Sequence, residues 1–295
     1  MAGVIENTNT ISKHYDPSMP RPGHADFTGF ARYGASHDYR GGGHFSGRLT
    51  APLVFAGAVA KQVLRTMGVE VGAHILRLGS VWDQAFDPVQ ISAPQLREPG
   101  HKVFPTLDTE AGQAMSQVIL EHRNAQNSIG GVIECGVVGM PVGVGSPFFG
   151  SVESRLSSML FSVPAVKGVE FGDGFGFAEL NGKTANDEFY WQDEKIKTYT
   201  NHNGGINGGI TNGMPLIFRT VVKPTPSISL PQRTVNFQTG ENVEICVHGR
   251  HDPCVVYRAA AVVEAATAVV LLDLLLTDLP ATLRNRRNGE EAERE

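Results

Sequence analysis

The stretch GRHDPCVVYRAAAVVEAATAVVLLDLLL, residues 249–276, joins a cluster of polar side chains to a long apolar run. Three charged residues divide the run: Arg258, Glu264 and Asp273. It therefore contains no stretch of about eighteen residues without a charge, the length expected of a membrane-spanning helix. Its length and composition instead predict a helix that is buried in the core of a globular protein.

The polar residues in front of this helix have two interpretations. Pro253 suits the first turn of a helix, so we expect Asp252 near the N-cap, where a carboxylate faces free backbone amides. Arg250 could turn toward an anion from the same position. An ordinary aspartate cap explains this segment, taken alone, better than catalysis does.

The composition of the whole chain excludes several classes of protein. Of the 295 residues 41% are hydrophobic and 19% are charged, which is typical of a soluble globular protein with a substantial core. The net charge of −5 gives no electrostatic attraction for nucleic acid. The three cysteines form no CxxC pair and favour a reducing compartment over a disulfide framework or a zinc site. The opening residues do not have the pattern of a secretory signal, so we expect a cytoplasmic protein with no membrane or nucleic-acid partner.

Helix and strand patterns alternate irregularly along the chain. Helices are predicted from about Thr50 to Gly68, over the segment LDTEAGQAMSQVILEHRNAQN at 107–127, and over Val152–Phe161. Strands are predicted in four segments: GGVIECGVVGMPVGVG, which includes a turn, VKGVEFGDGFGFAEL, MPLIFRTVVKPT and NVEICVHG. This order lacks the βαβ alternation of a doubly wound sheet, so we predict an α+β fold with one domain over 1–280 and a charged, disordered tail over 281–295.

Several glycine-rich or histidine-containing turns carry groups that suit an anionic ligand. RPGHAD (21–26) and GGGHFSGR (41–48) bring histidine and arginine into turns, the second of them at the mouth of a helix. The loop HNGGINGGITNG (202–213) precedes Lys223, which has hydroxyl residues close behind it. A flexible surface loop is the simpler interpretation of 202–213. The remaining histidines considered are interpreted as solvated: His14, His37, His74, His101 and His122.

Taken together, these segments resemble one enzyme family. RPGHAD, DYRGGG, SGRLTAPLVFAGA, VKGVEFGDGF, NHNGGINGGI, KPTPSI and GRHDPC occur in the order and spacing of chorismate synthase, from about residue 4 to about residue 279. The resemblance implies a β-α-β sandwich, a homotetramer, and the elimination of phosphate from 5-enolpyruvylshikimate 3-phosphate to give chorismate. It also implies a requirement for reduced FMN. Whether the chain reduces its own flavin with NADPH or depends on a separate flavin reductase stays open.

The resemblance also implies roles for individual residues. His24 matches a histidine beside the flavin, and Asp252 matches an aspartate linked to removal of the substrate proton. Three residues match arginines around the substrate: Arg21, Arg48 and Arg250, the last of which also lies near the flavin. The flavin contacts would come from His44, Phe45, Ser46, Pro164, Ala165, Gly208, Lys223, Pro224, Thr225, Pro226 and Ser227. No metal is implied.

The sequence departs from the family pattern before Val4. Family members carry a further N-terminal segment there, with a Gly-Glu-Ser-His-Gly motif whose histidine is the acid at the leaving phosphate and with arginines that hold substrate. We therefore expect impaired turnover and weak FMN binding from this chain alone. The alternatives are a piece of a full enzyme and a non-catalytic paralogue that binds flavin or a phosphometabolite.

Overall fold

The apolar run at 255–276 forms the buried helix that its composition predicts. The structure is a computed structural model that describes residues 2–6, 16–247 and 251–277. The helices are α1 (Asp26–Tyr33), α2 (Thr50–Thr66), α3 (Ala93–Arg97), α4 (Thr109–Asn124), α5 (Val152–Phe161), α6 (Gly182–Ala185) and α7 (Val256–Thr277). Helix α7 is long and apolar enough to cross a membrane, but most of it is buried inside the protein, as in the core helix of a globular fold.

Five antiparallel strands form the main sheet, in the order β2-β1-β3-β9-β4. The strands are β1 (Glu70–Leu78), β2 (Val81–Trp82), β3 (Gly131–Val138), β4 (Val166–Phe171), β5 (Phe189–Gln192), β6 (Lys195–Thr198), β7 (Ile206–Asn207), β8 (Ile210–Thr211), β9 (Leu216–Val222), β10 (Gln232–Val235) and β11 (Asn242–Ile245). Among the described residues, the remaining strands form three two-stranded ribbons: β5-β6, β7-β8 and β10-β11. The predicted α+β class is confirmed.

Both faces of the main sheet are covered. Helices α2, α5 and α7 supply apolar side chains to one face, where Ile75 of β1, Ile133 of β3 and Phe218 of β9 are fully buried. The segment around α3 covers the other face with a smaller apolar cluster that includes Phe86 and Leu96. The layered arrangement therefore buries the central strands on both sides.

The helices predicted over 107–127 and over Val152–Phe161 are confirmed, whereas the strand predicted over 166–180 ends at Phe171, because a short helical turn follows at Gly174–Glu179. Helix α5 has the predicted limits, but α7 begins at Val256 instead of Pro253, so Asp252 precedes the helix by four positions and is not its N-cap. Strand β1 is not predicted, because it is buried on both faces and lacks a polar alternation. The predicted tail at 281–295 lies outside the described residues.

His74 is also placed differently from the prediction. The side chain is fully buried on β1, with Nδ1 3.0 Å from Asp83 Oδ2 and Nε2 3.0 Å from Glu134 Oε2. Burial alone lowers the pKa of His74, but the hydrogen bonds to both carboxylates outweigh it and raise the pKa. Burial raises the pKa of Asp83, yet the hydrogen bond from His74 and those from backbone amides lower it overall. The three side chains join β1 and β3 to the loop that follows β2.

Helices α2 and α7 approach each other so closely at Gly57 that no side chain fits there. A Cβ atom added to Gly57 would lie 2.3 Å from Ala265 Cβ and 2.7 Å from its carbonyl oxygen. We expect Gly57→Ala to lower the free energy of unfolding by about 1–3 kcal/mol, because overpacking outweighs the gain of about 1 kcal/mol in helix propensity. Urea denaturation measures the difference. Gly100→Ala, where the added Cβ meets no atom within 4 Å, is the matched control and should stay close to the wild-type value.

The cluster around His74 predicts a pH-dependent stability. Because the folded pKa of His74 is raised, its contribution is complete below about pH 6.5, the unfolded value, and is lost as pH rises through the folded pKa. Asp83 has a lowered pKa, so its contribution is present above about pH 3.9 and is lost as pH falls below that value. We expect the free energy of unfolding to decrease as pH rises above about 6.5, and His74→Gln to remove this slope. An unchanged slope in His74→Gln would contradict the assignment, and the exposed His101→Gln should keep the slope.

Candidate functional site

Arg21 and His24 lie together in a turn that one carboxylate holds. Asp26 Oδ2 accepts hydrogen bonds from Arg21 Nε at 2.7 Å and from the Arg21 backbone amide at 3.0 Å. Asp26 Oδ1 lies 2.6 Å from His24 Nδ1 and accepts from Arg21 Nη2 at 2.8 Å. Arg21 also donates from Nη1 to Ser227 Oγ at 3.2 Å, which ties the turn to a segment more than two hundred positions away. The structure thus brings Arg21 and His24 close to Ser227, which is remote from both in the sequence.

The segment Lys223–Ser227 follows β9 and packs on the same turn. Lys223 Nζ donates to the carbonyl oxygen of Gly23, and Pro226 packs against Gly23. The Thr225 carbonyl accepts from Ser128 Oγ at 2.6 Å. Thr225 Oγ1 is buried and has no hydrogen-bond partner among the described residues. A buried hydroxyl group without a hydrogen-bond partner lowers the stability of the protein, unless a bound ligand or water supplies the partner.

Pro164 and Ala165 lie beside this segment, in the short connection between α5 and β4. The Ala165 carbonyl accepts from the Lys223 backbone amide at 2.9 Å. Ala165 has φ = 73°, a left-handed conformation that costs a residue with a side chain about 1–3 kcal/mol and is concentrated at functional sites. The strained connection therefore places the Ala165 backbone next to Lys223.

The segment 44–46 lies close to His24, and Gly42 is the residue between them. The Cβ position of Gly42 lies 3.8 Å from His24 Nε2 and 3.6 Å from Ser46 Cβ, so the short helical turn over Arg40–Phe45 runs close to the imidazole ring. Ser46 Oγ accepts from the Arg48 backbone amide at 3.3 Å. The side chains of Arg48 and His44 are exposed, and Phe45 packs against the ring of His37. Hence His37 is not simply solvated.

Asp252 lies at the same end of the sheet. The Pro253 carbonyl accepts from the Ile129 amide at 2.9 Å, and the neighbouring Ser128 contacts Thr225 as described above. Asp252 Oδ2 lies 2.6 Å from Nη1 of the largely exposed Arg258. The predicted site residue Arg250 lies outside the described residues.

Gly208 is the predicted site residue that the structure does not bring to this end of the sheet. It lies in the turn between β7 and β8, where the next carbonyl, that of Gly209, accepts from the Val152 amide at the start of α5. The residues that lead into this ribbon, Gly204 and Gly205, adjoin the beginning of β9, whereas Lys223 follows its end. A seven-residue strand extends about 20 Å, so Gly208 and Lys223 are far apart within one chain.

At the candidate site, Asp26 lies beside positively charged or hydrogen-bonding partners, whereas Lys223 lies near a second positive charge, that of Lys167. Burial of the Asp26 carboxyl raises its pKa, but the hydrogen bonds from Arg21 and His24 outweigh burial and hold the pKa well below its usual range. Burial, followed by the nearby charge of Lys167, lowers the pKa of Lys223. Positive groups in such a position favour the binding of an anion.

Three residues with direct roles in this geometry were not predicted: Asp26, Lys167 and Arg258. The Asp26 carboxylate stands two positions after His24 in RPGHAD, so a sequence signal for it existed. Lys167 and Arg258 carry no such signal, since β4 and α7 bring them to Lys223 and Asp252 only after folding.

The chemistry of these groups suits a flavin phosphate and a polyanionic substrate. Lys223, the Thr225 and Ser227 hydroxyls and the Ser46 hydroxyl can hold such a cofactor, and the unpartnered Thr225 Oγ1 is the observation that favours a bound ligand. Within residues 2–6, 16–247 and 251–277, no group of three or more His, Cys, Asp or Glu side chains is arranged to hold a metal ion.

Comparisons with known proteins agree on one family. The family model described as chorismate synthase matches residues 1–276. A chorismate synthase of Dehalococcoides mccartyi strain BAV1 is 47% identical over 275 residues, which cover 92% of this chain and 74% of that protein. A chorismate synthase of Thermococcus kodakarensis is 44% identical over 278 residues, with 94% and 76% covered. The chain therefore spans about three quarters of the length of these relatives.

A solved structure supports the same assignment. A crystal structure of chorismate synthase superimposes with a TM-score of 0.67 and 28% sequence identity. The superposition covers 79% of this chain and 65% of the solved chain. The shared fold confirms the α+β class and the layered architecture of that type.

The cations at the site predict a measurable response to an anion. We expect the addition of FMN or inorganic phosphate to raise the pKa of Lys223, because a bound anion offsets both burial and the charge of Lys167. Lys167→Gln should raise the pKa of Lys223 without any ligand. NMR titration of the lysine side-chain signals measures both effects, and Lys183→Gln on α6 is the control. A pKa that responds to neither the ligand nor Lys167→Gln would contradict this electrostatic description.

Proposed function

The chain belongs to the chorismate synthase family of enzymes, and from this we propose that it converts 5-enolpyruvylshikimate 3-phosphate to chorismate with reduced FMN as cofactor. One observation supports the site residues most directly: the turn that carries Arg21 and His24 packs against Lys223–Ser227, and this segment contacts Ala165 and Ser128. Three of the segments that the family resemblance implicates, 21–24, 164–165 and 223–227, thus meet at one end of the sheet, and the segment of Asp252 adjoins them through Ile129.

The proposed reaction breaks two bonds in the substrate. One carbon–oxygen bond breaks to release inorganic phosphate and one carbon–hydrogen bond breaks to release a proton, and the electrons left on carbon form a new carbon–carbon double bond, so there is no net oxidation. Transient electron donation, which eases the departure of phosphate, is the chemistry that reduced FMN supplies when bound. The chain itself must bind several negative charges, orient the substrate and accept the proton.

The arginines and Lys223 account for binding of the negative charges. Arg21 is buried and already fixed by Asp26, so its guanidinium loses little freedom when an anion binds. Arg48 is exposed at the start of α2 and can adjust to the substrate, and Arg250 is proposed as a further contact on the strength of the resemblance. Lys223 serves the phosphate of the cofactor or substrate as a point charge.

His24 and Asp252 are the proposed proton-handling residues. His24 presents Nε2 toward Gly42, while Nδ1 is occupied by Asp26, so a proton on Nε2 can stabilise an anionic reduced flavin. Asp252 can accept the substrate proton after Arg258 moves away from it. The Arg258 side chain is largely exposed, so it can move into solvent. The remaining flavin contacts are proposed for His44–Ser46, Pro164, Ala165 and Lys223–Ser227.

Gly208 fits the proposal only if the chain assembles. Within one chain the seven residues of β9, which extend about 20 Å, separate the strand end near the β7-β8 ribbon from Lys223. We therefore assign any contact between Gly208 and flavin to a neighbouring copy in the proposed homotetramer. A cytoplasmic location and a supply of reduced flavin, from NADPH or from a separate flavin reductase, complete the proposal.

The alternative of a non-catalytic flavin-binding or phosphometabolite-binding paralogue is not favoured by the comparisons, since the similar curated proteins are named as enzymes. Chorismate formation under anaerobic conditions with reduced FMN separates the two. Flavin binding without any chorismate would contradict the proposed activity and support the paralogue.

Substitutions at Asp252 and His24 test the two proton-handling roles. We expect Asp252→Asn to lower kcat by about a hundredfold or more, the usual contribution of a positioned acid or base, with FMN affinity unchanged. His24→Ala should weaken the binding of reduced FMN as well as lower kcat. Assays of chorismate formation measure kcat, and anaerobic titration with reduced FMN measures the affinity. His101→Ala, at an exposed position, is the control. Equal loss of FMN affinity and kcat in Asp252→Asn would contradict its role as a base.

A further inference from the structure

One carboxylate, that of Asp26, contacts both Arg21 and His24. Its Oδ2 accepts from the Arg21 backbone amide and from Nε, and its Oδ1 accepts from Arg21 Nη2 and lies 2.6 Å from His24 Nδ1. Only 15% of its side chain is exposed. A single side chain thus uses both oxygens to hold a guanidinium and an imidazole in fixed positions.

We propose that Asp26 is a positioning residue, which fixes the ring orientation and the protonated nitrogen of His24 so that Nε2 faces the ligand. The inference rests on the proposed role of His24 at the flavin. An ionised carboxylate can only accept hydrogen bonds, so the ring nitrogen 2.6 Å from Oδ1 must carry a hydrogen. Nε2 of the neutral ring is then the acceptor nitrogen, and Gly42 lies beside it.

The ionised state of Asp26 is supported by its surroundings. Hydrogen bonds from Arg21 and His24 lower the pKa of the carboxyl despite its burial. The ion pair with Arg21 is bidentate, which fixes the direction of both carboxylate oxygens. The guanidinium also lies against the ring, with Nη2 3.1 Å from Nδ1 and 3.3 Å from Nε2.

The same arrangement places Arg21 between the carboxylate and Ser227. Because Nη1 donates to Ser227 Oγ, rotation of Arg21 would disturb a segment proposed to contact flavin. Loss of Asp26 should therefore affect both the histidine and the Lys223–Ser227 segment. A purely structural ion pair would affect stability without changing the tautomer of His24.

NMR of the ring nitrogens gives a direct test in the flavin-free protein. At a pH where the imidazole is neutral, we expect wild-type His24 to carry its proton on Nδ1, and Asp26→Ala to shift the proton toward Nε2. A wild-type proton on Nε2, or an unchanged tautomer in Asp26→Ala, would overturn the proposal. The wild-type measurement decides the question even if the variant fails to fold.

A second measurement relates this positioning to ligand binding. We expect Asp26→Ala to weaken reduced FMN binding by roughly ten- to a hundredfold, a share of what a positioned proton donor contributes, and Asp26→Glu to recover part of it. The pair His202 and Asp173, whose Nδ1 and Oδ2 are also 2.6 Å apart, supplies the control. Asp173→Ala should change the tautomer of His202 but not that of His24, nor the FMN affinity. Equal effects of Asp26→Ala and Asp173→Ala on FMN affinity would overturn the proposal.

The two sets of results separate this inference from the proposed function. A wild-type protein that forms no chorismate but shows the expected change of His24 tautomer contradicts the proposed activity and supports the role of Asp26. A wild-type protein that forms chorismate while Asp26→Ala retains the tautomer, the FMN affinity and the pH profile of kcat supports the function and refutes the role of Asp26.

Discussion

The burial of α7 against the main sheet is the constraint on which the rest of the structure depends. This helix is too apolar to remain in water, and it packs on α2 and on the central strands β1 and β3. Burying its side chains is the dominant favourable contribution to folding, at about 25 cal/mol per Å² of apolar surface. The position of α7 in turn fixes residues 251–253 beside Ile129, and so brings Asp252 to the end of the sheet where the other site segments lie.

The end of the sheet is a suitable place for polar chemistry because the chain leaves regular structure there. The segments 21–26, 128–130, 164–165 and 223–227 exchange hydrogen bonds with one another through side chains and backbone groups. Asp26 compensates Arg21, while Lys223 and Lys167 keep positive charge available for an anion. The same residues that hold these turns in place therefore leave a net attraction for a phosphate.

His74 in the core and His24 at the candidate site both contact carboxylates at short distance. Asp83 and Glu134 enclose His74 completely and join strands to loops, with no access for a ligand. Asp26 makes a similar contact with His24, but beside glycine-rich turns that leave one ring nitrogen facing the site. Both are short contacts between carboxylate and imidazole, and only their surroundings distinguish a structural role from a functional one.

The sequence by itself determined the elements whose patterns are local. The apolar length of α7 and the limits of α5 depend on neighbouring residues, and the seven short segments that include RPGHAD and KPTPSI together indicated the family. Tertiary structure alone decided that β1 is a strand, that His74 is buried, that α7 begins beyond Asp252, and that Gly208 lies at the far end of β9. The physical reason is that burial on two faces, ion pairing and distance all depend on residues that are remote in the chain, as the contact between Arg21 and Ser227 shows.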